Sequence, residues 1–214
     1  ILPVLVIYAW RDELADAIRT KRPFGHIGRG MISIVGMFLN FAALARLPLV
    51  DATAISFAAP LITVALAAVF LGERVRTYHW LAVGVGFAGV VVMLWPYFNF
   101  ARYTSGDAAT AAATVGAMCA MTAAFTNAGA VVQTRRLTDT ETTSSIVFYF
   151  SLSCALAGLA TLPLGWIWPN PMQLAVLIAS GIIGGLAHIV LTSSYHYAPA
   201  SLVAPLDYTT MIWA

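Results

Sequence analysis

From Thr142 to Leu206 the sequence contains no Asp, Glu, Lys or Arg, which is far too long a stretch for one buried helix of a soluble protein. A helix needs about 20 apolar residues to cross the hydrocarbon core of a bilayer. The cluster from Gly165 to Pro171 holds two tryptophans, which favour a membrane interface, and it divides the stretch into segments near 144–165 and 172–196. The sequence therefore predicts two membrane-spanning helices joined by an interfacial turn.

Composition extends this prediction to the whole chain. Only 9% of the residues are charged and 60% are hydrophobic, whereas soluble domains carry about 25% charged residues. The mean hydropathy is +0.84. The short alternating strands of a membrane barrel are missing from the pattern, so helices are the structure that satisfies the backbone in lipid. The prediction is a polytopic all-α bundle, with further spans near 29–46, 52–72, 78–95 and 108–132 and partial spans at 1–9 and 199–214.

The positive charges indicate how this bundle is oriented. Of the 11 Lys and Arg residues, all but Arg46 and Arg102 fall in the loops near 10–30, 73–78 and 133–143, which lie on one side. Loops rich in Lys and Arg stay in the cytoplasm, so we expect an integral protein of a bacterial inner membrane with these loops inside. The net charge of +2 is too small to indicate a nucleic-acid partner.

The sequence also shows a weak internal repeat. Pro48 and Pro199 each open an apolar helix, and with an offset of 151 residues the segment 48–63 aligns with 199–214. This offset corresponds to five helices, an odd number, so the two halves would have opposite orientations. Inverted repeats are typical of transporters, whose substrate site lies where the repeats meet. The alternative is that two membrane helices that open at a proline simply look alike.

Two stretches carry a resemblance to a known family. SFAAPLITVALAAVFLGERV (56–75), followed by HWLAVGVGFAGVVVML (79–94), resembles the EamA-type permeases of the drug/metabolite transporter superfamily. The central Pro60 and the Leu-Gly-Glu-Arg helix end are the most recognisable features, and YAPASLVAPLDYTTMIWA (197–214) resembles the same element of the later repeat.

The resemblance implies ten helices in two inverted five-helix repeats with both termini cytoplasmic. About eight of these helices would lie in this chain, with residues 1–101 in the first repeat and residues 102–214 in the second. The implied activity is alternating-access transport of a small organic metabolite, such as an amino acid, amine, nucleoside or vitamin, with proton coupling as one option.

Asp207 is the strongest candidate for a substrate or proton site. A charged residue at the centre of a span costs about 2.5–3.5 kcal/mol and therefore usually faces a cavity or a partner. An interhelical hydrogen bond would be the structural explanation. His188 lies near the middle of its span and is expected either to line the cavity or to pack. The full set of candidate cavity residues is Asp207, His188, Tyr208, Asn40, Ser56 and Thr210, and the candidate helix kinks are Pro60 and Pro205.

The remaining motifs indicate structure. The run from Gly84 to Gly89 fits the G-x-G-x-x-G spacing of dinucleotide sites, but it lies inside a span, where small residues favour close helix packing. Glu73 and Arg74 are interpreted as a pair that anchors a loop. The sequence offers no cofactor motif, no metal-ligand set and no catalytic constellation, so an enzyme is not expected.

Two alternatives to a transporter stay open from the sequence. They are an intramembrane enzyme that modifies lipid and a membrane assembly protein without transport activity. The expected partners are a small-molecule substrate, the lipid bilayer and a second copy of the chain in a homodimer.

Overall fold

The computed structural model describes residues 14–73, 75–98 and 108–212. In these residues every regular element is helical. The α-helices are α1 (Leu14–Ile18), α2 (Pro23–Leu44), α3 (Leu49–Ser56), α4 (Ala58–Phe70), α5 (Thr77–Leu94), α6 (Ala108–Thr138), α7 (Thr143–Ala160), α8 (Pro171–Tyr197) and α9 (Ala200–Val203). Three 3-10 helices span Trp95–Phe98, Leu162–Leu164 and Ala204–Ile212.

The prediction of an all-α membrane protein is confirmed. Five helical segments are long and apolar enough to cross a bilayer: Pro23–Leu44, Leu49–Phe70, Ala109–Thr138, Thr143–Leu164 and Pro171–Tyr197. The remaining predicted span, near 78–95, corresponds to α5. Its apolar part, His79–Val92, is shorter than the other five segments. The predicted partial span at residues 1–9 lies outside the described residues.

Two predicted helix boundaries are wrong. The sequence placed Arg135 and Arg136 in a loop near 133–143, but α6 continues to Thr138 and includes both.

The sequence also placed Arg29 in a loop before the second span, but α2 begins at Pro23 and includes Arg29. Proline is favoured at the first position of a helix, because its fixed φ suits the helix and it has no amide hydrogen to leave unpaired. The Glu141 carboxylate also accepts hydrogen bonds from the backbone N–H groups just before Pro23, which stabilises this start.

The turn between the two charge-free spans is where the sequence predicted it. The 3-10 helix Leu162–Leu164 ends at Gly165, whose φ of +86° is a conformation that favours glycine. Helix α8 then starts with a capping box, in which the side chains of Asn170 and Gln173 each bond to the other residue's backbone N–H. Pro171 is the first residue of this helix.

The described residues form two compact units. The first unit comprises the residues up to Ile34 together with Gln133–Ala198. It contains α1, the start of α2, the end of α6, and the whole of α7 and α8. Within it Ala17 and Val147 are fully buried, and Phe148 and Ile189 pack against them.

The second unit comprises Val35–Val132 together with the residues from Pro199 onward. Its core is built from small side chains: a row of alanines on α6 packs with α3, α4 and α5, which brings the helices close together. The hydroxyl of Tyr97 donates to the Asp51 carboxylate at 2.5 Å, and this hydrogen bond raises the pKa of Tyr97 to about 12. Each unit contains residues of both predicted repeats, so the repeat boundaries stay a prediction.

The glycines of the G-x-G-x-x-G run give a matched test of the packing interpretation. A Cβ on Gly86 would lie 2.7 Å from Leu61 Cδ1, whereas no described atom lies within 4 Å of a Cβ on Gly84. Alanine favours a helix over glycine at both positions, but only Gly86→Ala crowds a buried leucine. We expect Gly86→Ala to be about 1–2 kcal/mol less stable than Gly84→Ala in thermal unfolding in detergent. Equal stability of the two variants would argue against packing at Gly86.

Candidate functional site

The helix that spans Leu49–Phe70 is interrupted at Phe57, in the second unit. Helix α3 ends at Ser56 and α4 begins at Ala58, with Phe57 capping both at φ −67° and ψ −5°. Pro60 follows within one turn and has no amide hydrogen, so the Ser56 carbonyl lacks its usual helical donor. The backbone therefore departs from a continuous α-helix here.

A second interruption lies after Pro199. Helix α9 ends at Val203, and the chain continues as a 3-10 helix over Ala204–Ile212, which includes Pro205. Runs of 3-10 helix longer than three or four residues are uncommon and often mark a functional hinge. Both candidate kink prolines thus lie beside irregular backbone, although changes of helix axis at them stay predictions.

The two interruptions meet in one contact. The hydroxyl of Tyr208 donates to the carbonyl oxygen of Phe57 at 2.8 Å, and the two ring centroids are 5.9 Å apart. The two residues are separated by 151 positions, the same offset that aligns Pro48 with Pro199. Each is therefore the counterpart of the other in the predicted sequence repeat.

A cavity of about 620 Å³ lies beside this contact within the second unit. Phe57, Pro60, Pro205 and Tyr208 line one side. Helix α5 lines the other with His79 and with small and branched apolar residues. The walls are mostly apolar, and His79 and Tyr208 bring the polar side-chain groups. This is the pattern of many small-molecule sites, which hold a few polar groups in an apolar pocket.

The other predicted cavity residues of the second unit are half-buried or exposed. Ser56 is half-buried and donates its hydroxyl to the Thr53 carbonyl at 2.6 Å. Thr210 donates to the carbonyl of Asp207 at 2.6 Å, so both hydroxyls bond within their own segments. Asp207, Thr210 and Asn40 are exposed in the second unit, and their place in a substrate cavity stays a prediction.

His188 lies in the first unit, where it belongs to a cluster that the sequence pattern did not predict. Its Nε2 atom is 3.1 Å from Nη2 of Arg29, and its ring stacks on Phe150 with centroids 4.4 Å apart. Its Nδ1 atom is 3.3 Å from the hydroxyl of Thr192. A signal for Arg29 was present in the sequence, because Pro23 is a favoured first residue for a helix that would include it.

Two acidic residues stabilise the starts of helices. Glu73 accepts hydrogen bonds from the backbone N–H groups of Ala200 and Ser201, both at 2.9 Å, one on each carboxylate oxygen. Glu73 thus joins the end of α4 to the start of α9, a partner that the anchoring interpretation did not foresee. The predicted pairing with Arg74 falls outside the described residues.

Glu141 has the same role in the first unit. One of its oxygens accepts from Lys21 N at 2.7 Å, Arg22 N at 2.8 Å and the Thr20 hydroxyl at 3.1 Å. Its other oxygen is 3.8 Å from His26 Nε2. Negative charge is favourable at the N-terminus of a helix, because the helix dipole is positive there.

The described residues contain no group of three or more His, Cys, Asp and Glu side chains arranged to hold a metal ion. The two cysteines, Cys119 and Cys154, are free thiols.

Comparison with known proteins identifies the family. Residues 1–95 match the EamA-like transporter family. The chain is 29% identical to an S-adenosylmethionine uptake transporter of Rickettsia prowazekii, over 99% of the chain and 66% of the relative's length. It is 30% identical to the pseudopaline exporter CntI of Pseudomonas aeruginosa, over 98% of the chain and 70% of the relative. No solved structure matches the chain.

A third relative widens the range of named substrates. A riboflavin transporter of Rhizobium johnstonii is 29% identical over 89% of the chain and 60% of its own length. The relatives are named for transport of small metabolites, one for uptake and another for export. These names argue against the alternative that the protein is an intramembrane enzyme that modifies lipid. The chain belongs to the EamA-like transporter family, among the permeases of the drug/metabolite transporter superfamily.

Proposed function

We propose that the protein carries a small organic metabolite across the bacterial inner membrane by alternating access, with its Lys- and Arg-rich loops in the cytoplasm. The observation that supports this most is the contact between Tyr208 and Phe57. In transporters built from inverted repeats, substrate sites form where interrupted helices of the two repeats meet near the middle of the membrane.

The geometry of this contact supports the repeat. If a two-fold axis relates two segments, the midpoint between each pair of counterparts lies on that axis. Phe57 and Tyr208 are counterparts at the predicted offset of 151 residues and are joined by a 2.8 Å hydrogen bond, so a two-fold axis that relates the repeats would pass through their contact. Rocking of one repeat against the other would then pivot about these residues, and the hydrogen bond would stabilise one of the two states.

The proposed substrates are polar metabolites of moderate size. The relatives are named for S-adenosylmethionine, pseudopaline and riboflavin. A cavity of about 620 Å³ is in the range of about 300–1,000 Å³ that small-molecule sites occupy. We propose that Tyr208 lines the substrate path and that Asp207, its neighbour in the sequence, either contacts a cationic group of the substrate or binds a transported proton. Unchanged transport by Asp207→Asn would remove Asp207 from the mechanism.

The hydrogen bond itself can be tested with Tyr208→Phe. This change removes one hydroxyl and leaves the Phe57 carbonyl without that donor, a loss of about 1–1.5 kcal/mol. We expect the initial rate of uptake into proteoliposomes to change by about tenfold. The full-length protein would be assayed with labelled S-adenosylmethionine and riboflavin. The matched control is Tyr197→Phe, because Tyr197 is 88% exposed at the end of α8.

The outcomes separate the parts of the proposal. Equal rates for Tyr208→Phe, Tyr197→Phe and the wild type would exclude the hydrogen bond from the transport cycle. Failure of the wild type to move any metabolite in a broad panel would contradict the transport function itself.

A further inference from the structure

Arg29 is a buried charge inside a membrane-spanning helix. It lies six residues after Pro23 on α2, which is roughly 9 Å along the helix at about 1.5 Å per residue. Only 5% of its surface is exposed. Charged residues at such positions are costly and commonly mark a substrate or ion pathway.

The guanidinium is held by neutral groups. Its Nε atom donates to the Thr134 hydroxyl at 2.5 Å, and Nη2 contacts His188 Nε2 at 3.1 Å. Its Cζ atom lies 4.4 Å from the centre of the Phe150 ring, in a cation–π contact. The remaining nitrogen, Nη1, is buried and has no hydrogen-bond partner.

His188 is neutral in this arrangement. Arginine can only donate hydrogen bonds, so the Nε2 atom that faces Arg29 must accept. The proton of the ring then lies on Nδ1, which faces the Thr192 hydroxyl at 3.3 Å. His188 therefore orients the guanidinium and adds no second positive charge.

The described residues do not supply a counter-ion. No carboxylate oxygen among them lies within 4.0 Å of the Arg29 guanidinium. Asp139 is the acid closest in the sequence to Thr134, but its side chain is 63% exposed and pairs with Arg135. The oxygens of Glu141, two residues further on, contact the residues before α2 and His26. A buried charge without a counter-ion lowers stability, so its presence calls for an anionic ligand that completes it.

We propose that Arg29 binds the carboxylate of the transported metabolite, with His188 and Phe150 as the residues that position its guanidinium. The inference rests on the proposed transport function and specifies its substrate class. Arginine presents a planar fork of donors that matches two carboxylate oxygens, and the unpaired Nη1 beside Nη2 provides such a pair. Movement of α2 or α8 during the transport cycle would open Arg29 to the substrate.

The test compares metabolites that differ only in the carboxylate. The full-length protein would be titrated with S-adenosylmethionine and a set of amino acids, each paired with its decarboxylated amine, and with riboflavin, which has no carboxylate. Binding would be followed by the shift in unfolding temperature, and uptake would be measured in proteoliposomes. The variants are Arg29→Met, which keeps bulk without charge, and Arg29→Lys, which keeps charge without the fork.

We expect the wild type to prefer carboxylated probes over their amines. Arg29→Met should bind the preferred probe about 100-fold more weakly and should lose the preference, and Arg29→Lys should fall between the two. Without ligand, Arg29→Met should be at least as stable as the wild type, because the unpaired buried charge is gone. A purely structural arginine would give the opposite result for stability.

Other outcomes would overturn the inference. These are equal recognition of acids and amines by the wild type, or no carboxylated probe recognised. A third is an Arg29→Met protein that is destabilised but keeps the wild-type preference. If riboflavin is transported in any of these cases, the transport function stands and only the carboxylate site fails. If no probe in the panel is transported, both fail.

Discussion

Replacing Glu141 with alanine is expected to lower the free energy of unfolding by about 3 kcal/mol. Glu141 is 7% exposed, and its carboxylate accepts three hydrogen bonds, two of them from the backbone N–H groups of Lys21 and Arg22. Truncation leaves these donors without their acceptor at the start of α2, where the helix dipole also favours negative charge. His26 is buried 3.8 Å from the carboxylate and loses this neighbour as well.

The measurement is thermal unfolding in detergent, where a loss of this size lowers Tm by about 6–12 °C. Asp139→Asn is the matched control from the same loop. Asp139 pairs with Arg135 at 2.7 Å, but its side chain is 63% exposed. Exposed pairs contribute about 0–1 kcal/mol, so the control should stay close to the wild type. If both variants lose the same stability, Glu141 does not have the role in helix capping assigned to it.

Replacing Glu73 with glutamine is expected to weaken the hydrogen bonding that stabilises the start of α9. The carboxylate offers an acceptor to each of two adjacent N–H groups, those of Ala200 and Ser201. Glutamine has one acceptor oxygen, and its amide nitrogen would face the second N–H group, donor against donor. We expect a local loss of about 2–3 kcal/mol, because a charged acceptor and its helix-dipole interaction are lost together.

Amide hydrogen exchange measures this loss residue by residue. A loss of 2–3 kcal/mol corresponds to exchange about 30- to 150-fold faster at Ala200 and Ser201. Leu202 and Val203 give an internal control, since their N–H groups bond to the Pro199 carbonyl and not to Glu73. Faster exchange at all four amides would mean that α9 unfolds as a whole. Unchanged exchange at Ala200 and Ser201 would rule out the capping interaction.

Glu73 also connects this local effect to transport. It joins the end of α4 to the start of α9, and both helices lead to the interruptions that meet at Phe57 and Tyr208. Two contacts therefore connect the same pair of segments: the Glu73 contact at their ends and the Tyr208 contact within them. If these segments move during transport, the hydrogen bonds of Glu73 must either break or move with them. We therefore expect Glu73→Gln to change the transport rate as well as the rate of amide hydrogen exchange.

The sequence predicted the candidate site in part. Tyr208 was among the predicted cavity residues and Phe57 was not, and the repeat offset of 151 residues that relates them could not establish that the two residues touch. Asp207 stood out because charge is rare in a span, yet the clearest buried charge in the described spans is Arg29, which the sequence placed in a loop. The error arose because a positive charge at a predicted helix end looks the same in sequence whether it faces water or a buried cluster.

The sequence by itself determined that this chain forms membrane helices, where the turn at Gly165–Pro171 falls and which family the chain belongs to. Helix formation in the membrane depends on a sum over neighbouring residues, because the free energy of burying a helix in lipid adds up along the segment. The turn and the family motifs are patterns of residues close together in the sequence. Only the tertiary structure decided what Arg29, Glu73, Glu141 and Tyr208 contact. Their partners are more than 100 residues away, so the contacts depend on how helices rotate and approach, which no local pattern encodes.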